Sequence, residues 1–185
     1  AAIVQSFPVL YIGGSNRGVA QARNTGITAS HGEFIAFLDQ DDHWPENKLS
    51  LQIDHMVDHP ELGYTIGLQS LYLEPGVERP VWLKPELLNG PQHGYLPGTF
   101  VARRWAFENI GMFDPTFAVG SESDWFFRAR DMQIPMAVLP HVLLHRRIHT
   151  ENQSHEVGNI IEMFQLIRLS LRRKAAQKKE GNDVP

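Results

Sequence analysis

Three carboxylates, Asp39, Asp41 and Asp42, follow directly on the apolar run Phe34 to Leu38. Acids this close repel one another unless a cation sits among them. A hard divalent cation takes oxygen ligands, and Mg²⁺ or Mn²⁺ typically uses one or two carboxylates together with substrate phosphates. The chemistry open to this cluster is cation binding beside a phosphorylated ligand. A plain turn is the alternative, with Asp42 capping a helix that Pro45 opens. The two readings share residues: Asp42 can cap while Asp39 and Asp41 ligate.

A second acidic group, Glu122 and Asp124, stands in Gly120-Ser121-Glu122-Ser123-Asp124-Trp125. Acids in a first helical turn are stabilised by the helix dipole by ~0.3–1 kcal/mol, so a structural role is open to both. A third group, Arg146, Arg147 and His149, lies at a strand-to-loop exit and could hold a diphosphate or reach the metal. His55 and His59 are four apart on a helix, but no third ligand stands nearby, so they read as surface histidines. Trp125 fits either stacking on a sugar or packing in a core.

The elements that must position these groups are legible in outline. Phe34 to Leu38 reads as a strand buried on both faces, as in a parallel sheet. Asp is depleted within strands, so the acidic triplet marks the carboxyl end, where open α/β sheets bind ligands. Val9 to Ile12 is an expected strand. Residues 16–29 form an expected helix with a small-residue face, capped by Ser15 or Asn16. Together they make a βαβ unit and predict a parallel sheet. Arg23 and Asn24 ride on that helix, where Arg23 taken alone reads as a solvated charge. Pro45 to His59 is an expected helix with the apolar stripe Leu49, Ile53, Met56 and Val57. Leu62 to Leu73 is an expected strand, 75–98 a long loop, Thr99 to Ala102 a strand and Arg103 to Asn109 a helix. Asp124 to Met132 is an expected helix capped by Ser121 or Ser123, and Ile134 to Leu139 a strand ended by Pro140. Residues 157–179 read as an amphipathic helix with a basic end.

The chain has 185 residues, 42% of them hydrophobic, a net charge of −4 and no cysteine. That suits one sizeable core and excludes disulfides and thiolate metal sites. Mild acidity argues against nucleic-acid binding. No apolar run approaches the ~20 residues of a membrane span, and no signal peptide is visible. The expected location is cytoplasmic, with peripheral contact to the inner membrane face through the basic C-terminal helix as one use of it.

Residues 16–52, then 98–115, 121–131 and 145–154, resemble the family-2 glycosyltransferases of GT-A fold, over residues 9 to 155. The resemblance implies an α/β, Rossmann-like, mostly parallel sheet flanked by helices. It divides the chain into a partial GT-A domain, 1–156, and a C-terminal amphipathic helix with a basic tail, 157–185. It implies metal-dependent, inverting transfer of a sugar from a nucleotide-diphosphate sugar, most commonly a UDP-sugar, to a carbohydrate or lipid-linked acceptor hydroxyl. Asp39-Gln40-Asp41 looks like the DXD motif, holding the donor ribose and Mn²⁺ or Mg²⁺, with Asp41 the leading metal ligand. His149 resembles a position that approaches the metal or diphosphate. Arg23, Asn24, Asp39 and Arg147 would line the donor site. Glu122 or Asp124 would be the general base, with Glu122 favoured, although Ser-Glu-Ser-Asp replaces the family's adjacent acidic pair. The family's opening strands and their Asp pair are not visible, so the chain reads as N-terminally truncated. Its exposed sheet edge then predicts self-association. A non-catalytic sugar- or partner-binding module is the alternative function. An Asp-x-Asp phosphatase is disfavoured because His43-Trp44-Pro45 does not continue its nucleophile loop.

Overall fold

The computed structural model describes residues 6–14, 18–117, 119–150, 152, 168–171 and 173. Helix α1, Val19–Ala29, leads into strand β1, Phe34–Ala36. Helix α2, Lys48–Asp58, precedes the long strand β2, Tyr64–Leu73. Residues 74–100 follow as loop with two 3-10 turns and a two-residue strand β3, Gln92–His93. Strand β4, Val101–Arg103, runs straight into helix α3, Arg104–Ile110. Helix α4, Ser121–Asp131, precedes the last strand β5, Met136–Ile148.

The sheet runs β1-β4-β2, with β5 on the other edge of β2 and β3 extending the β4 side. The expected α/β class with flanking helices stands, but the pairing is mixed rather than mostly parallel. Strands β1 and β2 both pair antiparallel to β4, and only β2 with β5 is parallel. The expected first strand does not form. Residues 9–12 carry no strand pairing, and their side chains are 47 to 75% exposed. A strand is defined by its ladder, and periodicity cannot supply the neighbour. The expected caps Ser15 and Asn16 lie outside the described residues.

Strand β5 continues through Pro140 instead of stopping there. Pro140 falls where the β2–β5 register shifts, between the pairs Ile66↔Val138 and Leu68↔Val142. A bulge needs no ladder N–H, so proline is tolerated. Gly67 sits at the same shift, and a Cβ there would collide with Leu143.

The core is aromatic. Tyr64, Phe100, Phe107, Phe113, Trp125 and Phe126 are all buried between the sheet and helices α3 and α4. Trp125 is fully buried, its ring 4.9 Å from that of Phe107, with Nε1 donating to Gly111 O at 3.0 Å. It is a core residue and has no face free for a sugar.

Helix α2 departs from the expected stripe. Lys48, Gln52 and Met56 are its buried residues, whereas Leu49 and Val57 are 40% and 60% exposed. The inward face is held by hydrogen bonds. Lys48 Nζ donates to Gln52 Oε1 at 2.6 Å and lies 4.5 Å from the centre of the Trp44 ring. Gln52 Nε2 in turn donates to Thr65 O, Thr65 Oγ1 and Thr99 O. Burial pushes the Lys48 ammonium down to about 7.

Most of the expected C-terminal amphipathic helix, 157–179, lies outside the described residues. The described part, 168–171 and 173, is helical and docks on α4. Ser170 Oγ donates to Asp131 at 2.9 and 3.0 Å, and Arg173 Nε donates to the same carboxylate at 3.1 Å.

Candidate functional site

The acidic loop after β1 is tied to the carboxyl end of β5. Asp42 N–H donates to Asp39 O at 3.2 Å and closes the turn. His43 and His145 exchange backbone hydrogen bonds of 3.0 and 2.8 Å, an antiparallel bridge between loop and strand. Arg147 N–H donates to Asp42 Oδ1 at 3.2 Å, and its Nε to Asp41 O at 3.2 Å. Its Nη1 pairs with Glu74, at the exit of β2, at 2.9 Å. The guanidinium expected to face a diphosphate is thus engaged in joining three segments.

Asp41 turns toward β5. Its Oδ2 lies 2.9 Å from His149 Nε2 and accepts from Asn152 Nδ2 at 3.3 Å. Burial alone would raise its pKa, but the His149 hydrogen bond and the nearby positive charge of His149 and Arg147 hold it below the ordinary carboxylate value. Asp42 behaves oppositely. Burial, with the charges of Asp41 and Asp39, outweighs the Arg147 hydrogen bond and pushes it up to about 6. Burial is the larger cause of the Asp42 shift, and repulsion from Asp41 and Asp39 adds to it.

Asp39 turns the other way, to Arg23. Arg23 Nη2 donates to its two carboxylate oxygens at 3.0 and 3.2 Å, and Nη1 lies 3.7 Å from Glu122 Oε2. The Arg23 side chain is only 10% exposed, so it is not the solvated helix charge that its own sequence context suggests. One guanidinium brings the strand-tip acid and the second acidic group together.

Two expected site residues stand elsewhere. Asn24 Nδ2 donates to Phe113 O at 2.7 Å, and its Oδ1 accepts from Phe113 N–H at 3.0 Å. It clamps the turn after α3. Asp124 is buried, accepting from Arg128 Nε at 2.7 Å and facing Arg173 Nη1 at 3.5 Å. Arg128 also donates to Ile110 O and Met112 O, so Asp124 anchors α4 against α3. Glu122, two residues earlier in the same first turn, points to Arg23. Neither Ser121 nor Ser123 caps α4: Gly120, in the left-handed region at φ 83, precedes it.

Sequence reasoning gave no role to Asn152 or Glu74. The only signal for Asn152 is its place three residues after His149. Among the described residues no three or more His, Asp or Glu side chains converge in a metal-like cluster. His59 lies 3.4 Å from Glu61 and is half exposed, as expected of a surface histidine.

The fold is shared with solved proteins of low sequence identity. Staphylococcus aureus TarS, solved with UDP-GlcNAc, superposes with a TM-score of 0.60 at 15% identity, over 84% of this chain and 46% of that one. The model of glycosyl transferase family 2 matches residues 1–125, and the chain belongs to that family. Among curated relatives it is 54% identical over 41 residues to the Escherichia coli protein WfgD, a UDP-Glc:α-D-GlcNAc-diphosphoundecaprenol β-1,3-glucosyltransferase. It is 42% identical over 43 residues to TuaG of Bacillus subtilis, a putative teichuronic acid biosynthesis glycosyltransferase. These matches span 22% and 23% of this chain but only 16% and 17% of the relatives.

Proposed function

We propose that this chain carries the catalytic end of a metal-dependent, inverting glycosyltransferase. It moves a sugar from a UDP-sugar to a hydroxyl of a carbohydrate or lipid-linked acceptor. One observation carries the reading: Arg23 is shared by Asp39 and Glu122, so the donor-side and acceptor-side acids face a single space. The nucleotide is chosen from the relatives, since WfgD is named for UDP-glucose and TarS was solved with UDP-GlcNAc.

Asp41 and His149 fit a Mn²⁺ or Mg²⁺ site. The paired oxygen and nitrogen, 2.9 Å apart, supply one carboxylate and one imidazole, and such a cation takes its remaining ligands from phosphates and water. When bound, the cation would neutralise charge on the departing diphosphate. Asp39, beside Arg23, would hold the ribose. Arg23 would approach the diphosphate as a forked donor. Arg147 would act mainly by fixing the acidic loop. Glu122 would take the proton from the acceptor hydroxyl on the face opposite the leaving group, as a single displacement requires. Asp124 has no such role, because its carboxylate is spent on Arg128.

The reading includes a cytoplasmic location. Among the described residues no helix is long and apolar enough to cross a membrane. Contact with the inner membrane face through the basic C-terminal helix belongs to the same reading, as does self-association along the edge of β1 that has no neighbour among the described residues.

The test is UDP release from a panel of UDP-sugars with Mn²⁺ or with chelator, using the purified chain and its variants. Asp41→Ala should lower metal-dependent turnover by about 10²-fold or more, the size of a lost group stabilising developing charge. Glu122→Gln should abolish transfer while leaving UDP affinity within about threefold, a change below 1 kcal/mol. Turnover that survives chelation and Asp41→Ala alike would overturn the metal. UDP binding without any turnover would favour a binding module.

A further inference from the structure

Asn152 is buried, and its side chain makes three hydrogen bonds that meet nothing but the two partners of the proposed cation site and their supports. Its Oδ1 accepts from His149 N–H at 2.6 Å. Its Nδ2 donates to Asp41 Oδ2 at 3.3 Å and to Arg147 O at 3.3 Å. Its own backbone N–H donates to His149 O at 3.4 Å. Beyond Ile148 the strand has no further ladder, so a different set of bonds must direct the chain. The Asn152 amide provides them: it holds the His149 backbone N–H and ties it to the Asp41 carboxylate.

We infer that Asn152 is the positioning residue that sets His149 and Asp41 at ligating distance from each other, so that both can serve one divalent cation. The carboxamide is suited to this task. It donates to Asp41 without adding charge, leaving the other carboxylate oxygen for a cation. It also accepts from the backbone N–H of His149, which fixes where the imidazole starts. A carboxylate at 152 would keep the acceptor but lose the donor, and an alanine would lose both. Groups that orient metal ligands typically cost about 10–100-fold in metal affinity when removed.

This inference rests on the metal-dependent reading above. The test is calorimetric titration of UDP into the full chain, with excess Mn²⁺ and separately with chelator, for the parent, Asn152→Ala and Asn152→Ser. Asn152→Ala should weaken UDP binding in Mn²⁺ by about 10–100-fold and leave binding in chelator unchanged. Asn152→Ser keeps a hydroxyl acceptor for the His149 N–H but cannot reach Asp41, and it should show the same metal-specific loss with an unchanged melting temperature. His149→Ala should not be weakened further by adding Asn152→Ala. Variants that bind UDP with Mn²⁺ as the parent does would overturn the inference alone. A loss that is equal with and without Mn²⁺ would also overturn it, since that marks general misfolding. A parent whose UDP binding ignores Mn²⁺ would overturn the functional reading and this inference with it.

Discussion

Asn24 spends both ends of its carboxamide on the backbone of Phe113, across 89 residues of chain. Removing it strands an N–H and a carbonyl in a half-buried place, at about 1–3 kcal/mol. Asn24→Ala should lower the melting temperature by several degrees, at about 2–4 °C per kcal/mol for a chain this size. Asn24→Asp, which keeps only the acceptor, should fall between the two, as differential scanning fluorimetry can show. Lys48 gives a pH signature. Its folded value is about 7 against an unfolded value near 10.5. Between those values the unfolded chain holds a proton that the folded chain lacks, so stability rises with pH. Urea melts should show a higher midpoint at pH 9.5 than at pH 7, and Lys48→Met should remove that slope.

Helix α4 is fixed from three sides. Arg128 in its last turn ties it to α3, the aromatic core holds Trp125 and Phe126, and the C-terminal segment closes on Asp131, whose side chain is 1% exposed. Ending the chain at residue 167 removes Ser170 and Arg173, both partners of the buried Asp131 carboxylate. Breaking a buried pair by removing one partner costs about 3–5 kcal/mol. The shortened chain should melt about 6 °C or more below the full one, and circular dichroism would register it. Most elements were readable from sequence because their signals are local: the apolar β1 run, the apolar 62–73 stretch that holds β2, and the helical patterns of α1 to α4. Three features were not. Residues 9–12 have strand composition, but a ladder partner is not a local property. Pro140 looked like a stop, because a bulge depends on the register of the neighbouring strand. Helix α2 turned a lysine and a glutamine inward, since Thr65 and Thr99 supply partners that lie far away in sequence.

At the scale of the molecule, the sheet gathers the site by ending β1, β2 and β5 near one another, with Asp42, Glu74 and Arg147 as the joints. The acidic groups were legible as types, and their sorting was not. Sequence favoured Glu122 over Asp124 only through a family resemblance, and the placement of the arginines separates the two acids: Asp124 pairs with Arg128, and Glu122 faces Arg23. The opposite margin of the sheet carries a short, three-residue β1 with no outer neighbour among the described residues. Nearby in sequence, Phe7, Val9, Leu10, Tyr11 and Ile12 are exposed. Open edges and apolar patches invite pairing. Light scattering should give a mass above that of the 21.0 kDa monomer as concentration rises, and a constant monomer mass would exclude pairing along β1.

The shared guanidinium of Arg23 has an electrical corollary. Around it the acids Asp39, Asp41, Asp42, Glu74 and Glu122 outnumber the guanidinium groups of Arg23, Arg146 and Arg147. A bare polyanion approaching this mouth meets a field of its own sign, and weak salt screening at such short range would not hide it. On the function proposed above, an anion that arrives with a counter-charge meets less repulsion from these acids than a bare one.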